Sequence, residues 1–301
     1  MIYLLPILTV FIWGMNAIAS KMAATIIEPS AMSFYRWLFA IFILTPFCLA
    51  KVVRLWCDIK PHLGKLAFLG FLGMVINQSC GYYAALTTTA SNMSLITALV
   101  PLMSIFISVP LLGKPISRNS ILGGIIALVG LAYMLGKGDM LFFLTQKITP
   151  GDALMVVASL AYAMYCVLIK RWKMQLPNTI LIYMQGLAAM VMLAPIWLTS
   201  DQLLPPSEAM PIILFASIAA SIAAPWMWIK SIDVIGADNS AMFMNLLPVV
   251  AVTLAVLLLG ETVHLYHFVG GIMVISGVIL AQLKRGKKDN IESNILNNDL
   301  A

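Results

Sequence analysis

The chain has 301 residues, 61% of them hydrophobic and only 10% charged, with a formal net charge of +6. Soluble domains carry about 25% charged residues. That composition excludes a water-soluble globule, and with it a soluble enzyme or a nucleic-acid-binding module.

A membrane-crossing helix needs roughly 20 mainly apolar residues. By that rule ten spans follow one another at 3–25, 31–50, 66–86, 91–112, 119–136, 152–170, 179–199, 210–230, 239–259 and 266–283. The alternating short segments of a β-barrel are missing from the sequence. The fold class is therefore an all-α membrane protein. The first span follows Met1 without a basic start or an A-x-A site, so it reads as a retained helix. Connections are short, which leaves no room for a soluble domain. The stretch 284–301 is polar and reads as a disordered tail. Cys48, Cys57, Cys80 and Cys166 have no CxxC spacing, so neither a metal nor a cofactor is expected.

Orientation follows from the basic residues. With the N-terminus inside, the inner loops and the tail hold 14 of the 18 Lys and Arg, and the outer loops hold only Lys137 and Lys147. The positive-inside rule then puts both termini in the cytoplasm and the protein in the cell's inner (plasma) membrane. This bias also explains the net charge.

The stretch "ASNMSLITALVP" (90–101) returns as "ADNSAMFMNLLP" (237–248). At this offset of 147, Asn92 pairs with Asn239, Pro101 with Pro248, Gly113 with Gly260, Gly124 with Gly271 and Gly130 with Gly277. Earlier in each half the offset is 149, pairing Lys21 with Lys170, Arg36 with Gln185 and Pro46 with Pro195. Ordered pairs of this kind indicate duplication. The halves are 1–137 and 150–283, and each carries five helices. Five is odd, so the second half enters the membrane inverted, an architecture common among secondary transporters. Lys114 on an inner loop is matched by Glu261 on an outer one, as inversion requires. Pro101 and Pro248 each remove a helix donor to the carbonyl four residues back, at Thr97 and Met244. Such breaks persist in membranes where neighbours or a wet cavity satisfy the freed groups. Asn92, Pro101, Asn239 and Pro248 are therefore candidate hinge or gating residues.

The first helix reads "FIWGMNAIASKMA" (11–23), the second "EPSAMSFYRWLFA" (28–40), and the second half ends "LLLGETVHLYHFVGGIMVISGVILAQL" (257–283). In these stretches, and in the repeat, the chain resembles the EamA family of the drug/metabolite transporter superfamily over about 3–283. The resemblance implies a ten-helix inverted-repeat bundle. It also implies a central cavity lined by the first four helices of each half, with the fifth and tenth helices peripheral. Members move amino acids, amines, nucleosides and related metabolites, often outward. Lys114 departs from the Gly-Glu pair seen at Gly260-Glu261.

Polar and aromatic residues inside spans are costly and default to functional candidates. Trp13, Asn16, Arg36, Asn77, Gln78, Tyr82, Tyr162, Tyr165, Gln185 and Trp226 are the candidates for substrate binding, with Tyr35, Tyr183, Trp228 and Asn245 also inside spans. Arg36 and Lys21 lie at similar depth on the outer side, against the charge bias. Arg binds a carboxylate or phosphate through two parallel bonds. For both cations the alternatives are snorkelling to the head groups or pairing with backbone carbonyls. His264 and His267 read as interfacial histidines. The sequence thus points to a secondary transporter of a small polar metabolite, an amino acid or a related compound. The rival readings are a flippase for a lipid-linked intermediate and a scaffold without flux. The partners are a small-molecule substrate and the bilayer, with no nucleic acid, and a homo-oligomer is compatible with this reading.

Overall fold

The computed structural model describes residues 3–113, 116–139, 149–235 and 243–282. Among these residues there is no strand. The helices are α1 (Leu4–Ala23), α2 (Pro29–Arg54), α3 (Trp56–Ala84), α4 (Ala90–Thr97), α5 (Val100–Leu112), α6 (Arg118–Leu135), α7 (Pro150–Trp172), α8 (Asn178–Leu198), α9 (Ser207–Ser231), α10 (Leu247–Leu259) and α11 (Leu265–Gln282). Nine spans built from these are apolar and long enough to cross a membrane, and α10 is a shorter apolar helix. Lys114, Asn239 and the tail 284–301 lie outside the described residues.

The fourth span is not one helix. It is α4 followed by α5, with Ala98 and Leu99 between them. Pro101 stands in the first turn of α5, where its missing N–H would have no partner anyway. Leu99 N–H turns back to Ile96 O, and Met103 N–H bonds Leu99 O. The second half repeats this at the same offset: Leu246 N–H bonds Phe243 O, and Val250 N–H bonds Leu246 O. The 13 residues of α5 or α10 rise only ~20 Å, against a hydrocarbon core of about 30 Å. In the fourth span α4 supplies the rest of the crossing. Both half-helices end on a left-handed glycine, Gly113 at φ 64° and Gly260 at φ 65°. That conformation strains any residue with a Cβ.

Four further helices carry a π-helical turn or an internal proline. In α3 the stretch Phe71–Ile76 is π-helical, and in α9 so is Phe215–Ala223. Pro46 and Pro195, a repeat pair, sit inside α2 and α8, which pack together.

Helices α6 and α11 pair through glycine. A Cβ on Gly277 would stand 2.5 Å from Gly123 O, and one on Gly270 would stand 2.7 Å from Gly130 O. No real side chain tolerates such contacts with backbone, so the four glycines set how closely these helices approach. Overpacking of this kind typically costs about 1–3 kcal/mol. Gly277→Ala is expected to lower the melting temperature in detergent by several degrees. Gly64→Ala, where nothing lies within 4 Å, should leave it unchanged. Equal melting of the two variants in a thermal-shift assay would contradict this packing.

Candidate functional site

A cavity of about 530 Å³ runs between the two halves. It is lined from α1, α2, α3, α4, α7, α8, α9 and α10, while α6 and α11 contribute no lining residue. Nine of the ten sequence candidates line it: Trp13, Asn16, Arg36, Asn77, Gln78, Tyr82, Tyr162, Tyr165 and Gln185. Trp226 does not. It is 55% exposed, whereas Trp228 lines the cavity and meets Trp13 at 5.7 Å between ring centroids. Two residues apart on a helix means about 200° of rotation, so only one of the two indoles can face inward. The sequence does not say which.

Arg36 is the organising side chain. It is 4% exposed and makes three hydrogen bonds, all to neutral groups. Its Nε donates to Ser221 Oγ at 2.7 Å, and its Nη1 donates to Tyr82 Oη at 2.9 Å and Asn16 Oδ1 at 3.2 Å. The partners come from α9, α3 and α1, so the guanidinium ties three helices to α2. Ser221 is placed by the π-helical turn, its own hydroxyl donating to Ala216 O five residues back. π-Turns often mark functional sites, and no local sequence signal announces this one.

Several of the other candidates are also held by hydrogen bonds. Gln78 Oε1 accepts from Trp37 Nε1 at 2.8 Å, and Asn77 Nδ2 donates to Ala158 O at 3.0 Å. The Trp13 indole donates to Ala220 O at 3.4 Å. Tyr162 and Tyr165 stack at 5.4 Å. Gln185, the repeat mate of Arg36, is 1% exposed, and its Oε1 is buried without a partner. Among the described lining residues, Arg36 alone carries a formal charge.

The hinge candidates lie beside the cavity. Pro101 and Pro248 are not lining residues, but Thr97 and Met244, whose carbonyls those prolines cannot satisfy, are. Asn92 also lies off the cavity, at one end of the bundle, and Asn239 lies outside the described residues.

The two ends of the cavity differ. At one end the lining reaches Ile169, Asn178 and Ile229, close to the ends of α7, α8 and α9. Towards the other end it stops at Ser20, Arg36, Tyr82 and Met93. Beyond them a polar clasp gathers around the α3–α4 connection. Lys21 Nζ donates to Ala85 O and Thr88 O, each at 2.7 Å, so the carbonyl alternative describes it. Thr88 Oγ1 and Asn92 Nδ2 both donate to Asp152 Oδ1. Glu261 accepts from Ala90 N–H at 2.8 Å, and its other oxygen accepts from Ser91 N–H at 3.1 Å and Ser91 Oγ at 2.7 Å. A carboxylate on the first free N–H groups of α4 also suits the helix dipole. Asp152 and Glu261 stand next to span ends, at the start of α7 and just after α10. Apart from Thr149, which caps α7 beside Asp152, their partners lie 60 to 171 residues away, beyond reach of any local pattern.

A second depression of about 560 Å³ lies at the clasp end, around Ala24 to Ser30 and Ser200. Its one charged residue, Glu28, already accepts from Ser30 and Ser200. His267 Nδ1 accepts from His264 N–H, and no group of three or more His, Cys, Asp or Glu placed to hold a metal occurs among the described residues.

The profile of the EamA-like transporter family matches residues 1–136 and 149–283. An uncharacterized transporter of Archaeoglobus fulgidus is 26% identical over 295 residues, covering 94% of this chain and 98% of that protein. The uncharacterized transporter YetK of Bacillus subtilis is 22% identical over 288 residues, covering 92% and 85%. A solved crystal structure superposes with a TM-score of 0.64 at 16% identity, covering 93% of this chain and 96% of that one. The fold is thus shared with a known structure, and the two matched segments together span nearly the whole helical chain. The chain belongs to the EamA-like transporter family, within the drug/metabolite transporter superfamily, and is a multi-pass membrane transporter.

Proposed function

We propose that the protein is a secondary transporter of a small polar metabolite, an amino acid or a related compound. It works outward by alternating access of its two inverted halves, in the inner membrane with both termini cytoplasmic. The observation that carries this reading is the cavity between the halves, with one buried guanidinium set in a wall of aromatic and amide side chains. Its volume falls in the range of small-molecule sites, roughly 300–1,000 Å³. In this orientation the Asn178 end of the cavity is cytoplasmic and the clasp end is external. The flippase reading needs a free cation at head-group depth, and Lys21 is engaged with two carbonyls.

The test is flux in sealed vesicles of both orientations, with a panel of amino acids, amines and carboxylates. Saturable, protein-dependent movement of at least one of them is expected. Movement of a lipid-linked compound instead, with no flux of any panel member, would overturn the reading. Reporter tags at Met1 and after Lys288 are both expected inside, and an external reading for either would overturn the assigned orientation.

A further inference from the structure

We propose that the cavity selects organic anions of net charge −1, such as monocarboxylates with an apolar body, over zwitterions and amines. It rests on the cavity being the transport site, and within the proposed range it favours anionic related compounds over the amino acids themselves. The charge balance carries it. Arg36 is the one formally charged side chain among the described lining residues, and it is 4% exposed. The nearby acids are committed elsewhere: Asp152 to Thr88 and Asn92, and Glu261 to the start of α4. A buried cation without a counter-charge is costly, and an anion on it removes most of that cost.

The geometry presents the guanidinium as a receptor. Ser221, Tyr82 and Asn16 hold Nε and Nη1. These partners are neutral, so they fix the fork without cancelling its charge. That leaves Nη2 to meet a carboxylate through charge-assisted hydrogen bonds. Away from Arg36 much of the wall is apolar or aromatic, with Trp13, Trp228, Tyr162, Tyr165, Met155 and Met244, and its polar groups are neutral. That surface suits a hydrocarbon or aryl body. An ammonium on the same ligand would add a second positive charge to the cavity. The remaining polar groups there are neutral, the unpaired Gln185 Oε1 among them. They can receive a hydroxyl or amide N–H, but they cannot neutralise an ammonium beside Arg36.

Three probes with one body and different charge decide this: 3-phenylpropionate (−1), phenylalanine (zwitterion) and phenethylamine (+1). Binding to the purified, full-length protein in detergent is read by thermal shift and by indole fluorescence, since Trp13 and Trp228 line the cavity. The acid is expected to bind about tenfold or more tighter than the other two, the scale of one charge-assisted hydrogen bond. In Arg36→Gln that preference should vanish. Equal or tighter binding of phenylalanine or phenethylamine overturns the proposal. So does an acid preference that survives Arg36→Gln, or no binding of any probe to the parent protein. Binding of the acid without counterflow in vesicles would leave the charge selectivity standing and remove the transporter reading instead.

Discussion

Arg36→Ala is expected to abolish flux of whatever substrate the vesicle panel identifies, while the protein reaches the membrane at parental levels. Hydrogen bonds to a charged group contribute about 1.5–3 kcal/mol each, so loss of the fork on a bound anion should lower transport by roughly 10- to 100-fold or more. Arg36→Lys should rescue little. An ammonium is a point charge and cannot reproduce a planar fork that holds Ser221, Tyr82 and Asn16 while facing a carboxylate. The effect on folding has a different sign. Replacing a buried, unneutralised cation by a neutral side chain removes a desolvation penalty, which offsets the three lost hydrogen bonds. Melting temperature should therefore change little. A fall in membrane level and melting temperature that tracks the loss of flux would make Arg36 a structural strut joining α1, α2, α3 and α9.

Substituting the two prolines is expected to bias the transporter toward opposite faces. Pro101→Ala supplies an N–H to Thr97 O and favours a continuous α4–α5; Pro248→Ala does the same for Met244 O ahead of α10. One added hydrogen bond is worth about 1 kcal/mol, enough to shift a two-state balance about fivefold. Because the halves are inverted, the two shifts should oppose each other. Cys166 lines the cavity and serves as a native reporter once Cys48, Cys57 and Cys80 are changed to Ser. In the parent, a membrane-impermeant thiol reagent should reach it faster from the Asn178 side than from the clasp side. One proline variant should raise that ratio several-fold and the other lower it. Unchanged labelling in both variants, with transport intact, would show that the breaks are passive kinks.

The spans, the duplication and its inversion, and the paired helix breaks were legible in the sequence. The reason is that a bilayer imposes local rules. A fixed thickness demands a fixed length of apolar chain, and every backbone group must be satisfied within its own segment. Pro101 with Pro248, and Gly113 with Gly260, could therefore be read as matched breaks and ends before any packing was known. Polar residues in apolar spans were also conspicuous, which is why Arg36 and eight other candidates could be picked out. What the tertiary structure decided is direction and partnership. The chain does not encode locally that Trp228 and not Trp226 turns inward, because rotation of α9 is set by packing against α1 and α2. Nor does it encode that a π-turn brings Ser221 to Arg36, 185 residues away. Lys21, Asp152 and Glu261 share no local motif; only the assembled bundle brings them together on the α3–α4 connection. Hydropathy and backbone saturation act along the chain, whereas the pairing of buried charges depends on which helices become neighbours.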